Sequence, residues 1–425
     1  MGSCRPALRF SKHPDRRCQV NDVLESRASR TELNRLNARL VLWLAEAAYP
    51  RWAALGIDAM TGGFVETLGQ NGSELGSTRR ARVPPRQVYA FAQAHRFGWR
   101  GDASAIIRRG IGYFTACFRR DDGLFRTLVD VNGKPLDECA LLYDQAFALL
   151  GFASAAVALD ARAEFERYAL QLLSSIKKRF AAGDGAFHSR SEAGGIRESN
   201  PHMHLLEACL AWAEIGSDGA WSAWARDLVS LALSRFIRED CGAVGESFAP
   251  SWRPAGGLAG RIIEPGHQFE WAGLLLRSEL RHAAPVRHAA LRLIAIGEQA
   301  GVRNHVAVNS LLDDYTIHDP NARLWPQTER LKAAVLAAQI TDDSEYWSMA
   351  QDAAASLLPY LETPLAGLWF DAQLPSGELV DSPAPASSFY HLVGAIAALN
   401  EALGDLAPTS FGQISPLRNQ SGSQQ

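Results

Sequence analysis

Cysteine is scarce in this chain: six among 425, none in a C-x-x-C pair and none at metal-ligand spacing. That excludes a zinc ribbon and a disulfide scaffold and points to a reducing compartment. Cys139 and Cys209 lie in apolar, helix-like surroundings, where a buried free thiol is the expectation. Long apolar runs are also missing. The longest, from Ala146 to Leu159, is too short to span a bilayer and reads as a buried core helix. The Arg-rich N-terminal stretch, 1–30, lacks the apolar segment of a secretory signal. No charge sign dominates: 43 Lys and Arg against 46 Asp and Glu leave a net charge of −3. Neither nucleic acid nor a membrane is therefore an expected partner. No P-loop and no strand–GxGxxG–helix unit occurs, so ATP and NAD are not implied. The expected setting is the cytoplasm.

Helical periodicity is abundant. Apolar residues keep to one face over Thr31–Ala48, and similar patterns cover Asp102–Phe118, Ala161–Phe180, Glu207–Ile215, Trp221–Phe236, Pro285–Gly301 and Ser344–Tyr360. Asp102 is placed to cap its helix. Gly- and Asp-rich turns at 61–63, 121–123 and 182–185 are each followed by an aromatic residue and read as short hairpins on one rim. No linker divides residues 31–405, which read as a single domain. Residues 1–30 and 406–425 are polar and read as disordered extensions.

Six chemically loaded segments return at a nearly constant interval. They hold Arg86 (RVPPRQVYAF), Tyr143 (LLYDQAF), His204 (SNPHMHLLEA), His267 (EPGHQFEWA), Glu329 (RLWPQTERL) and His391 (SSFYHLVGAI). The successive gaps in sequence number are 57, 61, 63, 62 and 62. Such a period fits one pair of helices plus loops. It describes a ring of helical hairpins that aim one end at a shared centre.

Within these segments, Asn200, His204 and Glu207 fall at i, i+4 and i+7 on one helical face, with Pro201 at a helix start. His202 lies off that face and reads as structural. Glu264, His267 and Glu270 repeat the pattern. A helix N-terminus disfavours an imidazolium, which predicts a neutral His267. Each residue also has a plainer reading: Asn200 as a helix cap, His204 and Trp325 as core, Tyr143 as a rim aromatic, and Arg86 as a structural ion pair with Glu329. The sequence spacing completes no metal-ligand set.

Taken together, YPRWAALGIDAMTGGFVETL, RQVYAFAQAHRFGW, YDQAFALLGFA, NPHMHLLEACLAW, EPGHQFEWAGLLL, RLWPQTERLKAA and SSFYHLVGAI resemble the N-acylglucosamine 2-epimerase superfamily, over roughly residues 40–403. EPGHQFEW and RLWPQTE look more like its mannose isomerases and mannose-6-phosphate isomerase-like members. The resemblance implies an all-α (α/α)6 barrel of twelve helices with short β-hairpin loops on one rim. It also implies aldose–ketose isomerisation of a monosaccharide through a cis-enediolate, with D-mannose and D-fructose as the expected pair and no metal or other cofactor. His391, His267 and His204 are the implied catalytic residues. Arg86, Tyr143, Asn200, Glu264, Glu270, Trp325 and Glu329 are the implied substrate-binding residues. Mannose 6-phosphate isomerisation and 2-epimerisation of an N-acylglucosamine or glucose-type sugar are alternatives with the same chemistry. A glycoside hydrolase on an (α/α)6 scaffold and a non-catalytic sugar-binding protein are alternatives of other classes.

Overall fold

The computed structural model describes residues 18–191, 195–282 and 286–404. Helix α1 (Cys18–Trp43) passes through a π turn at Leu44–Ala48 into α2 (Tyr49–Leu55), making one continuous helix. It is followed by α3 (Val83–Ala92), then by the pairs α4 (Ala103–Phe118) and α5 (Leu142–Ala158), and α6 (Arg162–Phe180) and α7 (Ser199–Ile215). The series closes with α8 (Ala220–Leu231) and α9 (Pro265–His282), α10 (Arg287–Gly301) and α11 (Leu324–Thr341), and α12 (Ser344–Leu361) and α13 (Ser387–Leu403). Counting α1 and α2 as one, the described residues form twelve long helices.

The second helix of every pair is inner, the first outer. Inner helices α3, α5, α7, α9, α11 and α13 pack in that order, and α13 returns to α3, which closes the ring. Their sequences explain the placement. Helix α5 is buried from Asp144 to Ala156 without a break, as a helix apolar on all sides must be. Outer α4 buries only one stripe, including Ala103, Ile107, Gly110, Phe114 and Phe118. Small residues let the layers approach: a Cβ on Gly151 of α5 would lie 2.7 Å from Pro85 of α3. The (α/α)6 barrel is thereby established, with a main apolar core that runs from Leu33 to Leu399 and a small second cluster of Ala243, Ile263, Val308 and Leu311 under the rim.

All strands are short and antiparallel, and they sit where outer helices hand over to inner ones. Bridges Ile57–Phe64, Arg119–Phe125, Ala181–Phe187 and Ile237–Val244 close the turns after four outer helices. Longer pairings staple neighbouring hairpins together: Arg79 opposite Val129, Arg197 opposite Phe248, Leu311 opposite Ile263 and Ala322 opposite Gln373. Thr67 opposite Pro385 joins the first hairpin to the last. This stapled rim holds the N-termini of all six inner helices.

Several local expectations shift. The first helix is already helical at Cys18, the first described residue, upstream of the start expected at Thr31, because no breaker interrupts the sequence between them; residues 1–17 and 405–425 lie outside the described set. Helix α7 starts at Ser199, so Pro201 stands third and Asn200 second, inside the helix rather than capping it. Asp102 does cap α4, its carboxylate accepting from the Ala105 N–H at 2.8 Å. Cys209 is buried in α7, whereas Cys139 is half-buried in a loop.

Candidate active site

Each of the six spaced segments delivers its side chain from the first two turns of an inner helix, so six helix N-termini face one mouth. The positive ends of six helix dipoles favour negative charge there. Three imidazoles occupy the mouth, and each is held by a carboxylate at Nδ1. His391 pairs with Glu329 at 2.8 Å, His267 with Glu246 at 2.8 Å and His204 with Glu207 at 3.2 Å. The Nε2 atoms of these three rings carry no hydrogen bond to the described protein, and none belongs to the orphaned atoms sealed from solvent. Every ring is thus oriented from behind with its second nitrogen free for a ligand.

The protonation states diverge. Burial pushes His391 down to about 4, although Glu329 opposes the fall. Burial likewise lowers His204 to about 4 against the pull of Glu207. Burial also works against a charged His267, but Glu246 and then Glu264 outweigh it and raise this ring to about 10. His267 is therefore an imidazolium at neutral pH, not the neutral ring expected from its helix start. Two carboxylates, at 2.8 and 3.8 Å, overcome the helix dipole.

Trp325 joins the two opposed histidines. Its ring centroid is 5.1 Å from His267 and 5.7 Å from His391. A Cβ on Gly266 would come within 2.5 Å of that indole, so glycine is what lets α9 start beneath it. Arg86 is 5% exposed, donates to the Tyr143 hydroxyl, and lies with its guanidinium 4.0 Å from the Phe147 ring centroid. It forms no ion pair with Glu329 or with any other carboxylate of the described residues, and its Nε is sealed and unpartnered. Tyr143 stands edge-on to His204 at 5.0 Å. Asn200 presents a sealed Oδ1 without a partner. Glu264 carries a carboxyl raised by burial and lies 3.8 Å from Arg323. Glu270 sits deeper, 3.8 Å from His204 Nδ1, and burial and then Glu329 hold it well above the usual carboxylate range. His202 bonds the Phe187 N–H and the Glu198 carbonyl and is fully buried.

A sequence model of the family described as N-acylglucosamine 2-epimerase (GlcNAc 2-epimerase) matches residues 62–395. The chain belongs to the N-acylglucosamine 2-epimerase family. A mannose-6-phosphate isomerase of Rhizobium meliloti (strain 1021) is 44% identical over 370 residues, 85% of this chain and 96% of that protein. A D-mannose isomerase of Pseudomonas cannabina pv. alisalensis is 29% identical over 263 residues, 56% of this chain and 62% of that relative. The crystal structure of a D-mannose isomerase superposes with a TM-score of 0.76 at 21% identity, over 87% of this chain and 97% of that one, and shares the fold. This member of the N-acylglucosamine 2-epimerase family is accordingly an enzyme of the sugar isomerase and epimerase class.

In this epimerase-family site, two residues escape sequence reasoning. Glu246 lies on a loop well before its histidine in the sequence; the only hint is the strand Ser247–Phe248 beside it, which pairs with the approach to α7. Lys332, one turn beyond Glu329, lies 2.8 Å from that carboxylate. Space also assembles what spacing did not: His204–Glu207–Glu270, Glu246–Glu264–His267 and Glu270–Glu329–His391 each bring three potential metal ligands within 4.8 Å. In all three groups the histidine Nδ1 lies beside carboxylate oxygen, the geometry of an orienting pair. Among the described residues, no helix is long and apolar enough to cross a membrane.

Proposed function

We propose that this enzyme interconverts D-mannose and D-fructose by metal-independent proton transfer through a cis-enediolate. The observation that carries the reading is the opposite protonation of two histidines against one indole. Groups whose environments push their pKa values apart are the natural base and acid of one reaction. Neutral His391 takes the proton from C2 of the open aldose through Nε2, and Glu329 behind it stabilises the imidazolium that forms. Cationic His267 donates to the ring oxygen when the pyranose opens, and the O1 proton released as the aldehyde forms returns to its imidazole. The proton held by His391 returns to C1, while the O2 proton passes to O1, which yields the ketose. Arg86, buried and without a carboxylate, supplies positive charge for the enediolate oxygens. Trp325 offers an indole face to the sugar C–H groups. Tyr143, Asn200, Glu264 and Glu270 supply hydrogen bonds, and His204 assists hydroxyl binding or ring opening. The carboxylates Glu207, Glu246 and Glu329 each serve a histidine, which argues against a hydrolase pair.

A second reading, isomerisation of mannose 6-phosphate, is favoured by the name of the 44% identical relative. The charges argue against it. A phosphate carries about two negative charges and calls for convergent cations. Arg82 is already 3.2 Å from buried Asp144, and Arg323 lies near Glu264, whose carboxylate would repel the phosphate. A competition assay between the two sugars tests the choice, with a higher kcat/KM expected for free mannose. Preference for the phosphorylated sugar, lost on Arg82→Ala or Arg323→Ala, would replace the free-sugar reading.

A further inference from the structure

Behind the histidines lies a buried charge cluster in which the proposed chemistry leaves one member, Lys332, without a role. Glu207 of α7, Glu270 of α9 and Glu329 of α11 form a continuous row. Glu270 lies within 4.8 Å both of the His204–Glu207 pair and of the Glu329–His391 pair. Glu207 is bonded by the Tyr390 hydroxyl of α13, whose ring stands edge-on to Tyr89 of α3 at 5.0 Å. Arg86 approaches the Tyr390 ring from α3, 5.5 Å from its centroid. Lys332 enters this row from α11, its ammonium 2.8 Å from Glu329 Oε2 and 5.9 Å from the Tyr390 ring centroid. The contact is an ion pair rather than an aligned hydrogen bond, since Oε2 has no partner of good angle. Gly394, one turn after His391, lies beside it: a Cβ there would be in ordinary contact with the ammonium at 4.0 Å and with the Tyr89 hydroxyl at 3.4 Å.

We propose that Lys332 is a positioning residue of the isomerisation, whose ammonium, paired with Glu329, keeps that carboxylate an anion that anchors His391 and disfavours a proton on the imidazole. The proposal rests on the isomerase reading for its catalytic consequence only. Glu329 divides its oxygens between two partners, with Oε1 on His391 Nδ1 and Oε2 on Lys332. Three buried carboxylates without a nearby cation would share protons, as like charges in one site do. A proton on Glu329 would remove the acceptor that orients His391, and a negative row would draw a proton onto the imidazole instead. Both failures disable the same base. Glu207, Glu270 and Glu329 all raise the proton affinity of Lys332, whose own charge lowers that of His391. His204, His267, Tyr89, Tyr390, Arg86 and, towards Glu207 and Tyr89, Arg277 of α9 are the other titratable and charged neighbours.

The test is the titration of His391 by NMR on protein labelled at histidine, in wild type and in the Lys332→Met, Lys332→Gln and Lys332→Arg variants. A His391→Asn variant assigns the signal. The titration needs no substrate, so it stands even if the mannose assignment fails. Loss of the charge should move the His391 midpoint upward by about one pH unit or more. The acidic limb of kcat/KM should follow, and Lys332→Arg should restore both. The Gln variant, closest in polarity, secures the reading if the Met variant does not fold. A His391 midpoint unchanged in a folded, charge-removed variant would overturn the proposal and leave Lys332 as packing.

Discussion

Removing the carboxylate behind His267 offers a sharp test of the acid assignment. In Glu246→Gln the ring keeps a neighbour of the same shape but loses the nearer of its two negative charges, 2.8 Å from Nδ1. Glu264, at 3.8 Å, remains. Burial, the largest influence on the ring, then acts against the cation with only Glu264 and the weaker pull of Glu270 to oppose it. A charge-assisted hydrogen bond of this kind contributes about 1.5–3 kcal/mol, which corresponds to a fall of about one to two pH units in the midpoint. The wild-type alkaline limb, set by a group near 10, should therefore move to about pH 8–9 in the variant. At pH 9.5 the variant should be about 3- to 25-fold slower than wild type, and at pH 7 nearly equal to it. The assay is kcat/KM for mannose across pH 5–10.5, with ketose read by a coupled or colorimetric method. An alkaline limb that stays in place would refute the assignment of His267 as the cationic acid.

His391→Ala and His267→Ala should each lower turnover by about 10²–10⁴ while thermal melting shows a folded protein; near-wild-type turnover would remove that residue from the mechanism. Treatment with EDTA should leave activity intact, although three ligand triples lie within 4.8 Å; loss restored by zinc, manganese or magnesium would reverse the metal-free reading. Stability should peak near neutrality. His202, His204 and His391 titrate near 4 when folded, so below pH 6.5 the unfolded chain binds protons the folded one refuses, at about 1.4 kcal/mol per pH unit for each ring. His267, raised to about 10, contributes fully below 6.5 and loses that contribution as pH rises towards 10. A urea midpoint that is flat from pH 4 to 6.5 would contradict this.

The rhythm of six segments is legible because each inner helix must begin with polar groups at the mouth and continue with apolar ones in the core. That alternation marks Arg86, Tyr143, His204, His267, Glu329 and His391 in the sequence and also dictates the barrel. Partners at long separation are not legible. Glu246 carries no local pattern, and without it a helix-start histidine reads as neutral, whereas His267 is cationic. The Arg86–Glu329 ion pair, the plainer alternative for Arg86, does not form, because Glu329 is taken by His391 and Lys332. Likewise, two of the ligand triples arise where neighbouring inner helices, a whole hairpin apart in the chain, bring side chains together, a separation no spacing rule covers; the third is completed by Glu246 from the loop before α9. The start of α7 moves by two residues, and Pro201 is tolerated in the third position because a donor there would have no intrahelical acceptor, so the N–H that proline lacks is not missed.

The central claim is that a histidine carries a proton from C2 to C1 of a free aldose. Incubating the enzyme with D-mannose in D2O and following both sugars by NMR tests it most directly. The account predicts D-fructose that carries solvent deuterium at C1 in a measurable fraction of molecules, with none incorporated in the His391→Ala variant. Fructose formed at full rate with the C2 hydrogen of mannose retained at C1 in every molecule would mean hydride transfer and would contradict the account.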